Sequence, residues 1–444
     1  MRVVWLLLLA VPLGLAQDEV SGRAPLQLSL QRAVEIAISS EGSTQVQLAG
    51  EALKQAQSRS LEARAALLPD LEASISRENQ TRNLAALGIG FINPIPGFEF
   101  PTFVGPFTTM DARVTVSQNV FDFGSIRRYQ ASKAGISAAK SDVDSSQEKV
   151  AAIVARAYLA AIRADTDVDT AQANVKLSQA MMQLAQHQKQ AGTGTGIEIT
   201  RAQVQLANDQ QQLLVAQNAR RRSHLELLRA MNARLDTELE LTDKLGYVPV
   251  DPVTLEQARA QALKERPDYQ AQRERESNAQ ISANAVKMER LPSLVAFGDY
   301  GSIGTGFNNA LPTRTYGLSL RVPIFDGGRR DARRKEAESQ YRAESLRTGD
   351  LKEQIELDIR LALDSLHSAD DEVKVASDGL HLAENELAQA RRRYQAGVTD
   401  SLEVTDAQTR LERARDNQTA ALYNYNVARI DLAQAMGTTR RAIQ

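Results

Sequence analysis

Residues 191–203, AGTGTGIEITRAQ, return later in the chain as residues 396–408, AGVTDSLEVTDAQ, with 6 of 13 positions identical. A second matched pair, residues 230–232 and 435–437, keeps the same separation of 205 positions. Each copy places Ala-Gly before a polar stretch that can start a helix, which is typical of a turn between two helices. The chain is therefore predicted to contain two related helical hairpins.

The duplication extends beyond these turns. The further matches pair residues 28–33 with 253–258, 68–71 with 291–294, and 121–124 with 325–328. Because all the matches keep the same order, we predict a first repeat over 17–232, a linker over 233–252, a second repeat over 253–437 and a tail over 438–444.

Each repeat is predicted to begin with a helix of about 40 residues, over 30–68 and 255–291, because Leu-Pro cannot continue a helix. Two strands follow, over about 70–121 in the first repeat and about 293–325 in the second. In the first of these strands Leu71, Ala73 and Ile75 alternate with polar residues, which is typical of a strand between two environments. A half-buried soluble hairpin has the same pattern. Strands of about 10 residues with Phe121 and Phe325 at their ends favour a membrane-spanning sheet.

A helical hairpin then follows in each repeat, over about 125–232 and 328–437. The outgoing helices, over 126–190 and 329–395, have about 65 residues, which at about 1.5 Å per residue gives rods of roughly 100 Å. The returning helices carry heptad seams typical of coiled coils. The seams consist of Ile199, Ala202, Leu206, Asp209, Leu213, Ala216, Arg220, Ser223, Leu227 and Ala230 in one repeat, and Val404, Ala407, Leu411, Ala414, Gln418, Ala421, Tyr425, Ala428, Leu432 and Ala435 in the other. Asp209 and Arg220 predict a seam that is partly wet.

Composition narrows the possible functions. The 444 residues include no Cys, which excludes disulfides, thiolate sites and an N-terminal lipid anchor. The net charge of −2, with both signs spread along the chain, argues against nucleic-acid binding. Residues 1–16 combine a basic start, an apolar run and a small-x-small site, and are expected to be a cleaved signal peptide.

Several motifs together resemble the TolC-like outer-membrane efflux family. They are Arg266-Pro-Asp268, the two Leu-Pro-x-Leu sites, residues 322–328 (VPIFDGG), and Tyr394-Gln-Ala-Gly397 followed by residues 402–408 (LEVTDAQ). The resemblance covers essentially the whole mature chain. It implies a mainly α fold with a small β part, in which three chains form a hollow periplasmic α-barrel and each adds four strands to one 12-stranded outer-membrane β-barrel.

The resemblance also implies a function. The chain would be a homotrimeric, passive exit duct of a tripartite efflux or type I secretion system, in contact with outer-membrane lipid, a periplasmic adaptor (membrane fusion protein) and an inner-membrane pump. It implies no catalytic residue, no cofactor and no metal. The alternatives are a periplasmic coiled-coil adaptor, which would have a single hairpin and a flanking β domain, and a structural envelope protein. An enzyme is disfavoured because no nucleophile, base or metal constellation is present.

Site residues are assigned by the same resemblance. Glu403 and Asp406, which share one helix face, and Glu198, which matches Glu403 in the repeat, would form acidic rings at the pore constriction; an ordinary acidic first turn of a helix is the alternative. The tips that dock the adaptor or pump would be Ala191, Gly192, Ala396 and Gly397. The family's tip lock maps onto Tyr394, Arg201 and Thr399. Because Arg stands where the family has Asp, we predict a rewired lock in which Arg201 pairs with Asp400.

The chain departs from the family's pattern at two points. Many relatives are lipoproteins, whereas this chain lacks the Cys that a lipid anchor requires. The segment 88–107 is rich in Gly, Pro and Phe and is more apolar than an exposed loop would be. The sequence does not identify the transported substrate.

Overall fold

The computed structural model describes residues 25–87, 103–192 and 194–443. The predicted signal peptide and most of the segment 88–107 lie outside these ranges. Among the described residues, no helix contains a stretch that is both long and apolar enough to cross a membrane.

The two halves of the chain have the same order of helices and strands. The first half contains β1 (Leu26–Leu28), α1 (Leu30–Ile38), α2 (Thr44–Ala65), β2 (Asp70–Asn83), β3 (Phe103–Phe121), α3 (Phe123–Gln190) and α4 (Gly196–Ala230). The second half contains β4 (Leu239–Leu241), α5 (Leu255–Glu265), α6 (Pro267–Met288), β5 (Ser293–Gly304), β6 (Leu311–Arg321), α7 (Arg329–Gln395), α8 (Ser401–Met436) and α9 (Thr439–Ile443). The predicted duplication is therefore visible in the fold.

The first helix of each half, predicted as one continuous helix over 30–68 and 255–291, is broken into two. Between α1 and α2, Ser43 caps the new helix, and a Cβ at Gly42 would lie 2.4 Å from the carbonyl oxygen of Ala37. Between α5 and α6, Pro267 is the first helical residue, and Arg266 before it is extended with ψ 117°. A residue before proline is driven out of the helical region, so the chain changes direction there.

The strands form one antiparallel sheet in the order β2-β3-β5-β6. In its register Ala73 opposes Val114, and Val114 opposes Tyr300 on its other side. The apolar face is left exposed, as the 75% exposure of Ile75 and the 69% exposure of Leu318 show. Strands β2 and β6 are its edges, and their outer backbone groups have no strand partner within the described chain.

The two long helices, α3 and α7, connect the sheet to the turns. Near the sheet α3 packs against α2 and α6, where Ser132 meets Ser60 and Asn278 donates to the carbonyl of Ala131. Towards the turns α3 packs against α4 and α8, and α7 packs against α8. The helices thus lie side by side in a layer at both ends, with α3 and α7 running through both.

A central core joins the two ends. Strands β1 and β4 pair in parallel there, and the buried hydroxyl of Tyr158 lies 2.8 Å from both the carbonyl oxygen of Leu28 and the Asp243 carboxylate. The surrounding buried side chains include Val34, Val154, Leu227, Leu228 and Met231.

The heptad seam of α8 is confirmed, since eight of its ten predicted residues are buried. The seam of α4 is less buried, because α4 packs mainly on α3 whereas α8 packs extensively on both α7 and α3. Asp209 and Arg220, the two seam positions predicted to be wet, differ in their surroundings. Asp209 is only 6% exposed, so the seam is dry and hydrogen-bonded there, while Arg220 reaches out to Asp165 at 2.7 Å.

Candidate functional site: the two hairpin tips

The turns of the two helical hairpins have the same backbone conformation. Gly192 and Gly397 adopt the left-handed conformation with φ of 75° and 71°. The N–H of Ala191 donates to the carbonyl of His187, and that of Ala396 to Arg392, which closes the last turn of each long helix. A left-handed residue after a helix favours Gly, so the repeated Ala-Gly has a direct structural cause. All four predicted tip residues are exposed.

The returning helices begin with acidic caps. Glu198 accepts a 2.8 Å hydrogen bond from the N–H of Thr195, in a capping box. Asp400 caps α8 by accepting from the N–H of Leu402 at 3.1 Å. Both carboxylates therefore satisfy free N–H groups at helix starts, where the helix dipole also favours negative charge.

The predicted constriction residues differ in their surroundings. Glu403 is partly buried, accepts from the hydroxyl of Thr399, and lies 3.3 Å from the guanidinium of Arg393. Asp406, one turn along α8, is exposed. Arg393 thus offsets the charge of Glu403 in this conformation, which the sequence analysis missed.

Tyr394 joins the two hairpins. Its ring is 5% exposed, and its hydroxyl donates to the side-chain oxygen of Gln188 on α3 at 2.5 Å. Burial, followed by the nearby charges of Glu198 and Asp400, raises the pKa of Tyr394. The hydroxyl therefore keeps its proton and stays a donor at neutral pH.

The predicted Arg201–Asp400 pair is not formed within the chain. Arg201 is exposed and lines a narrow cleft between the hairpins, together with Glu198 and Tyr394. Asp400 instead uses its carboxylate to cap α8. A helix cap is a local contact and needs no alignment between the two hairpins, which explains why it forms here.

Above the tips, polar side chains connect α3 and α8 at three successive levels. Arg156 contacts Asp431 at 2.6 Å, the guanidinium of Arg163 lies 5.2 Å from the ring centre of Tyr423, and Arg415 donates to Asn174 at 3.3 Å. These contacts run antiparallel along the two helices. They therefore hold the first hairpin against the second from the central core towards the tips.

Closest to the tips, this interface contains a buried polar cluster made of Ser178 on α3, Asp209 on α4 and Gln408 on α8. The amide of Gln408 donates to the Ser178 hydroxyl at 3.1 Å, and that hydroxyl donates to Asp209. Gln205 donates to the other oxygen of Asp209 at 2.9 Å. The only sequence signal for the cluster was the polar exception of Asp209 in the seam.

Acidic side chains lie beside this cluster and farther along the same interface, away from the tips. Burial, and then the charge of Asp209, raises the pKa of Glu412. Burial also raises the pKa values of Asp416 and Asp167, while Arg163 opposes both shifts. In the part of the chain that the structure describes, no group of three or more acidic or His side chains is placed to hold a metal ion.

The chain matches the family model described as "Outer membrane efflux protein" over residues 39–233 and 258–438, one segment in each repeat. It is 25% identical to the "Pyoverdine export outer membrane protein OpmQ" of Pseudomonas putida, over 90% of this chain and 84% of that protein. It is 22% identical to the "Alkaline protease secretion protein AprF" of Pseudomonas aeruginosa, over 71% and 67% of the two chains. In structure it is similar to the open state of the Neisseria gonorrhoeae MtrE outer membrane channel, with a TM-score of 0.76 and 19% identity over 94% of this chain and 90% of that chain.

Proposed function

The chain belongs to the outer membrane efflux protein family, and we propose that three copies of it form a passive exit duct that carries substrates from an inner-membrane pump across the periplasm and the outer membrane. Family membership supports this function over the adaptor and structural-protein alternatives. The relatives serve pyoverdine export and alkaline protease secretion by their names, so the family alone does not choose between small-molecule efflux and type I secretion.

The main observation in support of a trimer is that the four-stranded sheet has two open edges. Four strands with an exposed apolar face cannot face lipid alone, because the edge N–H and C=O groups of β2 and β6 would have no partners there. Pairing β6 of one chain with β2 of the next removes every edge when three chains close into a 12-stranded barrel.

The tips supply the proposed gate and docking surface. Glu403, Asp406 and Glu198 follow the two turns, and three copies of each would place rings of carboxylates in a narrow bore. The exposed Ala191, Gly192, Ala396 and Gly397 would dock the periplasmic adaptor and the pump. Tyr394 and its bond to Gln188 would help to hold the tip closed.

Light scattering of the detergent-solubilised protein tests the assembly, and planar bilayers test the duct. We expect the mass of three chains and discrete single-channel currents. A stable monomer, or a trimer that conducts no ions in any variant, would overturn the proposal.

A further inference from the structure

The interface between α3 and α8 contains more acid than base at the level of the buried polar cluster. Next to the cluster, Glu412 of α8 lies near the charges of Asp209 on α4 and of Asp416 one turn along its own helix. Asp416 in turn interacts with Asp167 of α3, farther from the tips. The basic groups that face them are Arg163 from α3 and Arg415 from α8. Asp209 is buried and accepts only neutral donors, Ser178 and Gln205, among the hydrogen bonds of the described residues.

The contacts here connect one hairpin to the other. Gln408 lies on the second hairpin and donates both to Ser178 on the first, at 3.1 Å, and to Glu412 on its own helix, at 3.4 Å. The hydroxyl of Ser178 in turn donates a hydrogen bond to Asp209 on α4. Because Asp209 and Glu412 belong to different hairpins, their like charges oppose the contact that the hydrogen bonds make.

We propose that Ser178, Asp209, Gln408 and Glu412 form a proton-dependent latch that holds the two hairpins together more firmly as the pH falls. This rests on the proposed function, with opening of the duct taken to be a separation of the two hairpins. The latch lies above the tip and is separate from the Tyr394–Gln188 bond and from the carboxylates Glu403 and Asp406.

The direction of the pH effect on the contact between the hairpins follows from these charges. We call the arrangement in which the two hairpins are in contact closed. In it the pKa of Glu412 is raised above its ordinary value of 4.5, so it binds a proton more tightly than an arrangement in which Glu412 meets water. As the pH falls through that raised pKa, the repulsion from Asp209 disappears and the closed state gains stability. As the pH rises above it, the gain is lost and the hairpins separate more readily.

Single-channel recording of the full-length protein tests the latch at about pH 7.5 and at about pH 4.5, the ordinary pKa of a Glu side chain. We expect the wild type to open severalfold less often at the acidic pH. Glu412→Gln should open rarely at both pH values, because its neutral amide mimics the protonated acid. Ser178→Ala should open more often at both, because it removes the link between Gln408 and Asp209. The exposed Glu384→Gln on α7 is the matched control and should keep the wild-type pH dependence.

A measurement without ion current separates this proposal from the duct itself. Since the chain has no Cys, spin labels at Gln190→Cys and Gln395→Cys report the separation of the two tips in detergent. The long-distance fraction should fall at acidic pH in the wild type and not in the Glu412→Gln background. A distance distribution that does not change with pH, or that changes equally in both backgrounds, would overturn the latch even if the channel conducts ions. If the distances change as expected but no current is seen, the result counts against the duct alone.

Discussion

The hydroxyl of Tyr394 on α7 donates a 2.5 Å hydrogen bond to the side chain of Gln188 on α3, which joins the second hairpin to the first one turn before each tip. Tyr394→Phe removes this bond and keeps the buried ring. A hydrogen bond of this kind contributes about 0.5–1.5 kcal/mol, so we expect the open state to be favoured by about two- to tenfold per chain. Open probability in planar bilayers measures it.

Tyr247→Phe is the control for that experiment. It removes a hydroxyl bonded to Asp370 at 2.6 Å, far from the tips in sequence and in the linker between the repeats. It should leave the open probability unchanged. Equal effects of the two substitutions would show that the Tyr394 bond has no specific part in closing the tip.

Ion preference tests the constriction. We expect a preference for cations that Glu403→Ala with Asp406→Ala weakens, because rings of carboxylates concentrate cations. Arg393→Ala should act in the opposite direction, because it frees Glu403 from an ion pair at 3.3 Å. Reversal potentials under a salt gradient measure both. If neither variant shifts the reversal potential, these side chains do not line the narrowest part of the bore.

Two left-handed glycines allow a matched test of stability. Gly437 ends α8 with φ 73°, and a Cβ there would lie 2.8 Å from the Cα of Arg266. Gly397 has a similar φ of 71° and open space around its Cβ position. Both alanine variants incur the left-handed cost of about 1–2 kcal/mol, and Gly437→Ala adds a clash of about 1–3 kcal/mol. Thermal melts should therefore show the larger loss for Gly437→Ala; the reverse order would contradict the packing at Arg266.

Arg266 is a largely buried charged side chain with two acidic partners. It is 12% exposed and contacts Asp268 at 2.8 Å and Asp358 at 3.0 Å. Removing one partner of a buried pair leaves unbalanced charge, so Arg266→Met should destabilise the fold by about 3–5 kcal/mol. Arg266→Met with Asp358→Asn should recover part of the loss, and urea unfolding measures both. A double variant no more stable than the single one would show that Asp358 does not share in the pair.

The ion pair between Arg266 and Asp268 predicts that the fold loses stability at acidic pH. Burial by itself raises the pKa of Asp268, but the hydrogen bond and charge of Arg266 outweigh it and hold that pKa below its ordinary value of 3.8. The resulting stability is fully present above pH 3.8 and is lost as the pH falls through the lowered pKa. The melting temperature of the wild type should therefore fall more steeply below about pH 4 than that of Arg266→Met. Parallel curves would mean that this pair does not set the acid limit.

The sequence by itself determined the repeated plan of the chain. The Ala-Gly turns could be predicted from the sequence because a left-handed backbone position favours Gly. The observed turns lie at Gly192 and Gly397. The seam of α8 was readable because a 3-4 spacing marks the buried face of a helix. Its residues Val404 and Leu411 are indeed buried. The family resemblance, carried by short motifs around these features, was confirmed by the match over both repeats.

Only the tertiary structure decided which helices meet and which polar groups pair. Periodicity identifies the face of a helix that is buried, but not the helix that buries it or their relative axial position. The bonds from Tyr394 to Gln188 and from Gln408 to Ser178 depend on how far one long helix is shifted along another. Packing such as that of Leu159 on α3 against Ile430 on α8 fixes this shift. For the same reason Asp209, which looks wet in its own helix, is buried once α8 lies against α3.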